Sequence, residues 1–183
     1  MTTAPRRWAA ELLYVWFHDL GPAQWWGGSG AVDAMLRRRF GKDLRALSPR
    51  PSDEFLNDPL TARAAILLFD QIPRNIHRRS AQAFATDGLA RRLTRGVIAR
   101  QWDCDVSPRE KPFVYMPLMH SEAIADQRDS LAIFATRAPS NLGFARSHHR
   151  MIARFGRFPH RNAVLGRTSS AAEKAAVAAG FAW

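Results

Sequence analysis

The segment Leu60–Asp70 places the strongest constraint on how this chain can fold. It contains the longest wholly apolar run of the sequence, Ala64-Ala65-Ile66-Leu67-Leu68-Phe69, and Arg63 is the only charged residue before Asp70. Apolar residues cover every face at the helical period, which is typical of a helix buried on all sides. The run is far shorter than the ~20 residues that span a bilayer. The sequence therefore predicts a central buried helix and no membrane partner.

The rest of the chain also follows a helical period, and it contains no alternating run of the kind that predicts a strand. Gly21 ends the first predicted helix and Gly41 the second. The central helix is expected to stop near Gln71, because the residue before Pro73 is biased away from helix. A length of 183 residues is typical of one domain. We expect a single all-α domain over residues 1–183, built as an array of about eight helices.

Caps and helix breakers predict the later helices. These are 80–100 after a Ser80 cap, 110–116 before Pro117, one that Ser121 caps, 141–155, and one that begins at the capping box of Ser170 and Glu173 and ends near Gly180.

The chain is strongly basic, with 27 Lys and Arg against 16 Asp and Glu and a net charge of +11. Such a charge favours weak, salt-sensitive attraction to phosphate backbones. The arginines are scattered, however, and no nucleic-acid-binding module is evident. Specific nucleic-acid binding is therefore not expected.

The single cysteine, Cys104, excludes an intramolecular disulfide and a cysteine-rich zinc site. The pair Arg6-Arg7 resembles the start of a twin-arginine export signal. Glu11 interrupts the apolar region that should follow, and His18 stands where small residues would mark a cleavage site. We therefore predict a cytoplasmic protein, which agrees with a lone thiol.

Ionisable residues lie against apolar structure in four segments, of which the first is 70–75. Asp70 ends the apolar helix, where the helix dipole disfavours an anion. Its carboxylate needs a cation, and Arg74 follows four residues later. A buried ion pair that only fixes the helix end is the structural alternative.

The second and third segments carry histidines. His120 precedes a predicted helix start and lies two residues from Glu122, so the two side chains can form a proton-transfer pair or an ordinary surface pair. His148 falls on the stripe of Phe144, Met151 and Phe155, so it should face inward. An inward histidine is either a site residue or a hydrogen-bonded core residue.

The fourth segment, Arg154–Asn162, alternates aromatic side chains with cations after Gly156 and Pro159 break the helix. Loops usually contain small polar residues, so this composition is unusual. We expect the aromatic rings to anchor the loop while three side chains project from it: Arg157, His160 and Arg161.

These segments carry a resemblance to a known family. The motifs are Leu68-Phe69-Asp70-Gln71-Ile72-Pro73-Arg74-Asn75, Ala83-Phe84-Ala85-Thr86-Asp87, the stretch from Phe113 to Glu122, and the stretch from Arg154 to Asn162. Together they resemble the bacterial family DUF924 of unknown function over nearly the whole chain. The resemblance implies an all-helical, tetratricopeptide-like fold and no established activity. The chain differs from the family pattern after His148, where His149-Arg150 replace an expected arginine and acid.

A metal site built from His120, His148 and His160 has no support from ligand spacing, so no metal is predicted. No glycine-rich phosphate loop or nucleophile motif occurs, and the sequence leaves any cofactor open.

The preferred hypothesis is a polar pocket for a small anionic ligand, because arginine side chains and a helix N-terminus both favour anions. The candidate binding residues are Asp70, Arg74, Asn75, Arg157, His160, Arg161 and Asn162. Whether the protein is an enzyme is left open; if it is one, the candidate catalytic residues are His120, Glu122 and His148. The alternative hypothesis is a helical scaffold whose concave face binds a peptide or protein.

Overall fold

The computed structural model describes residues 7–181, and within them it contains nine α-helices and no strand. Arg6 and the last two residues lie outside the described part. The all-α prediction is confirmed, and more than half of the chain is α-helical. The helices are α1 (Arg7–Tyr14), α2 (Pro22–Trp26), α3 (Gly30–Leu47), α4 (Pro59–Ile76), α5 (Asp87–Ala99), α6 (Lys111–Met119), α7 (Ile124–Arg137), α8 (Leu142–Phe155) and α9 (Ala171–Ala178).

Helix α4 is the centre of the fold. It packs against α1, α3, α5 and α6, and α7 and α8 extend the array from α6. From Thr61 to Pro73 every residue except Arg63 is buried, which confirms the predicted central helix. The prediction was wrong only for Leu60, which is 59% exposed in the first turn.

Helix α4 continues through Pro73 to Ile76, so the predicted end near Gln71 was wrong. A proline inside a helix leaves the carbonyl four residues earlier without its usual donor. That carbonyl belongs to Phe69, and it accepts a hydrogen bond of 2.6 Å from the hydroxyl of Thr86. A residue outside the helix thus compensates for the proline. The helix therefore continues for one more turn, and this turn contains Arg74.

Other predicted boundaries shift because tertiary packing overrides local signals. Helix α3 passes through Gly41, which is buried. Helix α6 passes through Pro117, and α7 begins at Ile124 instead of at a Ser121 cap. The hydroxyl of Ser121 instead accepts from the main-chain N–H of Ala123.

The segment after α8 forms a second, smaller apolar cluster. Phe158 packs there with Met151 and Ile152 of α8 and with Ala176 of α9. Gly156 ends α8 in the left-handed region, with φ of 68°, and the capping box predicted at Ser170 is present at the start of α9. The chain after α8 therefore folds back onto that helix.

Within residues 7–181, no helix combines the length and apolar character that a membrane crossing requires.

The core position of α4 gives a first testable prediction. Leu68→Ala should lower the free energy of unfolding by about 2–5 kcal/mol, because Leu68 is fully buried and its loss leaves a cavity. Urea denaturation measures this change. The matched control is Leu60→Ala on the same helix, which should change stability by less than about 0.5 kcal/mol because Leu60 is exposed. Equal effects of the two variants would contradict the central position of α4.

Candidate functional site

Asp70 and His120 form the centre of the candidate site. Asp70 lies on α4 with a fully buried side chain, and His120 follows directly after α6. The Nδ1 atom of His120 donates to Oδ1 of Asp70 at 2.8 Å. The other carboxylate oxygen accepts from the amide of Gln71 at 2.6 Å. The carboxylate of Asp70 therefore fixes the orientation of the His120 ring, which a side chain that transfers protons needs.

The contact with Asp70 also sets the chemistry of the ring. Burial lowers the pKa of His120, and although Asp70 opposes this effect, the pKa stays below its usual value. The ring is thus neutral at pH 7, with its hydrogen on Nδ1 and a lone pair on Nε2. The His120 side chain is 13% exposed, and Nε2 has no hydrogen-bond partner among the described residues.

The pKa of Asp70 responds to the same neighbours. Burial raises the pKa of Asp70, but Arg74 and His120 lower it by more, so it lies below its usual range. The carboxylate remains ionised at neutral pH although it is fully buried.

Arg74 makes the ion pair with Asp70 that the sequence predicts, at 3.2 Å. Its stronger partner is Asp87 at the start of α5, which accepts two hydrogen bonds of 2.8 and 3.0 Å. Nη1 of Arg74 also donates to the carbonyl oxygen of Asp70. Arg74 is therefore committed to protein carboxylates and holds α4 and α5 together.

Arg161 approaches from the segment after α8. Its Nη2 donates to the main-chain oxygen of His120 at 3.0 Å. The guanidinium carbon lies 4.4 Å from the ring centroids of both Phe84 and Phe158, so aromatic rings flank the cation. Burial, together with the charge of Arg74, lowers the pKa of Arg161 to about 10.

Two further histidines lie beside His120. The ring centroids of His120 and His148 are 5.9 Å apart, and Nδ1 of His148 donates to the carbonyl oxygen of Phe144 at 2.9 Å. His148 is 4% exposed, so its predicted inward orientation is confirmed, although Phe144 itself is 54% exposed. Burial lowers the pKa of His148 to about 3 and that of His160 to about 4.

The structure does not pair Glu122 with His120. Its two carboxylate oxygens each accept from Arg167 at 2.9 Å, and one also accepts from the main-chain N–H of Phe158. Burial raises the pKa of Glu122, but these donors lower it by more. Glu122 therefore fastens the segment after α8 to the start of α7, which is a positioning role.

Three other candidates bind partners outside the Asp70–His120 contact. Arg157 donates two hydrogen bonds to Glu173, and the amide of Asn162 donates to the hydroxyl of Ser169. Both contacts stabilise the fold-back after α8. Asn75 bridges α4 internally, since its amide donates to the carbonyl oxygen of Gln71.

We use the name Asp70–His120 site for the group that the structure brings together. Its solvent access is narrow, because the side chains of Arg74, His120 and Arg161 are 18%, 13% and 7% exposed. Among the described residues, no three His, Cys, Asp or Glu side chains are arranged to hold a metal ion. The members of the site are Asp70, Arg74, Phe84, Asp87, His120, His148, Phe158, His160 and Arg161.

Sequence reasoning missed Phe84, Asp87 and Arg167. Asp87 occupies the first turn of a helix, where an acid is common for local reasons. The signal that could have found Phe84 and Asp87 is their place in the motif 83–87, which is one of the motifs shared with the family.

Comparisons with known proteins give the same family as the sequence motifs. The model of a family described as bacterial proteins of unknown function, DUF924, matches residues 12–180. The chain therefore belongs to this family. A solved structure, a protein of unknown function (ATU0120) from Agrobacterium tumefaciens, is 34% identical and superposes with a TM-score of 0.88. The match covers 94% of this chain and 97% of that one. No match is found among curated proteins.

The buried carboxylate gives a second prediction. Asp70→Asn should lower the free energy of unfolding by about 2–4 kcal/mol, because it removes the anion that Arg74 and His120 share in a buried place. Chemical denaturation at pH 7 measures the change. The control is Asp129→Asn, which weakens the ion pair between Asp129 and Arg95. Because the side chain of Asp129 is 48% exposed, this variant should lose less than about 1 kcal/mol of unfolding free energy. A loss below about 0.5 kcal/mol for Asp70→Asn would show that this carboxylate is solvated.

The buried histidines give a prediction on pH. Burial lowers the pKa of His120, His148 and His160, so the unfolded chain takes up protons near pH 6.5 that the folded chain does not. The free energy of unfolding should be steady above pH 7 and fall from about pH 6.5 towards pH 4. Each histidine contributes up to about 1.4 kcal/mol per pH unit in that window.

Thermal or urea unfolding across pH 4–8 measures this dependence. His148→Gln should make the decline shallower, whereas His149→Gln, one residue further along α8, should leave it unchanged. Stability that does not decline below pH 6.5 would contradict the burial of these rings.

Proposed function

We propose that this protein binds a small anionic ligand at the Asp70–His120 site and that His120 acts there as a general base. The observation that carries the proposal is the 2.8 Å contact between Nδ1 of His120 and Asp70, on a ring whose Nε2 is left as a proton acceptor. A carboxylate behind an imidazole fixes the tautomer and stabilises the imidazolium that forms when a proton is taken up.

One cation of the site supports an anion. Arg74 is bound by Asp87 and Asp70, whereas the carboxylate nearest to Arg161 is the one already bound by Arg74. Arg161 also lies beside the main chain of His120. Guanidinium groups bind carboxylate and phosphate groups through paired hydrogen bonds. Narrow access at His120 and Arg74 favours a small ligand over a polymer.

The roles of the candidate residues follow from their contacts. Asp70 orients His120, and His148 and Phe158 line the inner side of the ring. Glu122 positions the segment that carries Arg161.

Location and fold subtype belong to this proposal as well. A cytoplasmic location rests on the single exposed thiol of Cys104, which suits a reducing compartment. A single domain over residues 1–183 and a tetratricopeptide-like arrangement rest on chain length and on the family resemblance.

A peptide-binding scaffold is the second candidate function, and one groove favours it. This groove has a volume of about 290 Å³, lies between α5, α6 and α7, and is lined largely by apolar side chains such as Ile98, Leu118 and Ile133. Its lining does not include His120. A partner bound there would not depend on the Asp70–His120 site.

A thermal-shift screen with a panel of small metabolites tests the proposed function. A ligand present at about 100 times its Kd stabilises the folded chain by about 2.7 kcal/mol. We expect at least one anionic compound to raise the unfolding temperature of the wild-type protein and of His149→Gln, but not of His120→Gln. Circular dichroism of the three proteins checks that the variants fold.

Stabilisation that is equal in wild type and His120→Gln would contradict the proposal. A peptide that binds both equally and loses affinity in Ile133→Asp would favour the scaffold.

A further inference from the structure

The two arginines of the Asp70–His120 site differ in how their charges are paired. Arg74 has a carboxylate, Asp87, bound through two hydrogen bonds, and a second carboxylate, Asp70, at 3.2 Å. The nearest carboxylate oxygen to Arg161 is that of Asp87 at 3.5 Å, and this oxygen already accepts from Arg74. The charge of Arg161 therefore lacks a carboxylate of its own.

Arg161 is nevertheless held in a defined position. It is 6% exposed, its plane is flanked by Phe84 and Phe158, and Nη2 is fixed by the carbonyl oxygen of His120. Its Nε is buried and has no hydrogen-bond partner among the described residues. A buried donor without an acceptor lowers stability, and native proteins seldom keep one without a reason.

Charge balance limits the charge of a ligand that can bind Arg161. The ionised groups of the site are Arg74 and Arg161 against Asp70 and Asp87, so their charges cancel while the histidines are neutral. A ligand with a single negative charge therefore adds the smallest charge to this buried place. A phosphate dianion would leave a further unbalanced charge in a poorly solvated place.

The lone pair of His120 defines a second requirement. Because Nδ1–H is committed to Asp70, Nε2 can only accept a hydrogen bond while the ring is neutral. A ligand that binds Arg161 therefore also needs a hydrogen-bond donor for Nε2 of His120. A hydroxyl group supplies that donor without adding a charge.

We propose that the ligand is a small hydroxycarboxylate, whose carboxylate binds Arg161 and whose hydroxyl donates to Nε2 of His120. The proposal rests on the proposed function, because it assigns the ligand class of the same site. The carboxylate takes the place on Arg161 that Asp87 takes on Arg74, and the hydroxyl occupies the acceptor site at Nε2 of His120.

Glycolate, acetate and inorganic phosphate are the probes that test this assignment at pH 7. NMR titration follows the side-chain nitrogen resonances of His120 and Arg161 in the wild-type protein. We expect glycolate to shift both and to bind at least tenfold more tightly than acetate or phosphate. In His120→Gln the affinity for glycolate should fall towards that for acetate, because the hydroxyl loses the Nε2 lone pair that the Asp70 contact holds in position.

Arg161→Lys should weaken glycolate binding at least tenfold, because lysine keeps the charge but loses the planar fork. The matched control is Arg150→Gln, an exposed arginine on α8, which should leave the affinity unchanged. Phosphate binding that exceeds glycolate binding, or equal glycolate affinity in wild type and Arg161→Lys, would overturn the proposal.

If Arg161→Lys does not fold, the wild-type titration decides the question. Saturation with glycolate that leaves the Arg161 Nε–H resonance in place would then be the contrary result. A metabolite that is no hydroxycarboxylate, yet loses its stabilising effect in His120→Gln, would refute this ligand class and leave the proposed function standing. A screen in which no compound depends on His120 would refute both.

Discussion

The burial of one carboxylate, Asp70, determines much of the structure around it. A fully buried anion is tolerated only when several donors surround it, and here Arg74, Gln71 and His120 supply them. Each donor imposes a position on its own element. Arg74 fixes the last turn of α4, and His120 fixes the end of α6 against α4. Arg74 in turn binds Asp87, and this ion pair holds the start of α5 against the end of α4.

The same interaction joins stability to chemistry. The low pKa of Asp70 and the lowered pKa of His120 come from one environment, in which burial favours a neutral ring and the neighbouring cation favours an ionised acid. An imidazole held neutral with an oriented lone pair is a competent proton acceptor near pH 7. The arrangement therefore does not need the carboxylate of Glu122, which the Arg167 fork and the Phe158 amide already occupy.

Patterns within one stretch of sequence predicted the features that depend on neighbouring residues alone. The all-round apolar segment gave a buried helix, and the spacing of four residues gave the Asp70–Arg74 pair. Contacts between distant segments could not be obtained in this way. The path of α4 through Pro73 depends on a hydroxyl from Thr86, and the partner of Glu122 is 45 residues away. His148 was placed correctly because its stripe is local, whereas its closeness to His120 needed the packing of α6 and α8.

The segment after α8 can open separately from the main core, and it carries part of the Asp70–His120 site. Phe158 lies in a small apolar cluster with Met151, Ile152 and Ala176, and Arg161 packs on the Phe158 ring. Glu122 joins this segment to the start of α7 through hydrogen bonds from Arg167 and from the main-chain N–H of Phe158. Small clusters open at lower free energy than a main core. Local opening of this segment would withdraw one cation and one wall while Asp70 and His120 stay in place. Such opening would remove the cation of the proposed anion site while the proposed general base keeps its position.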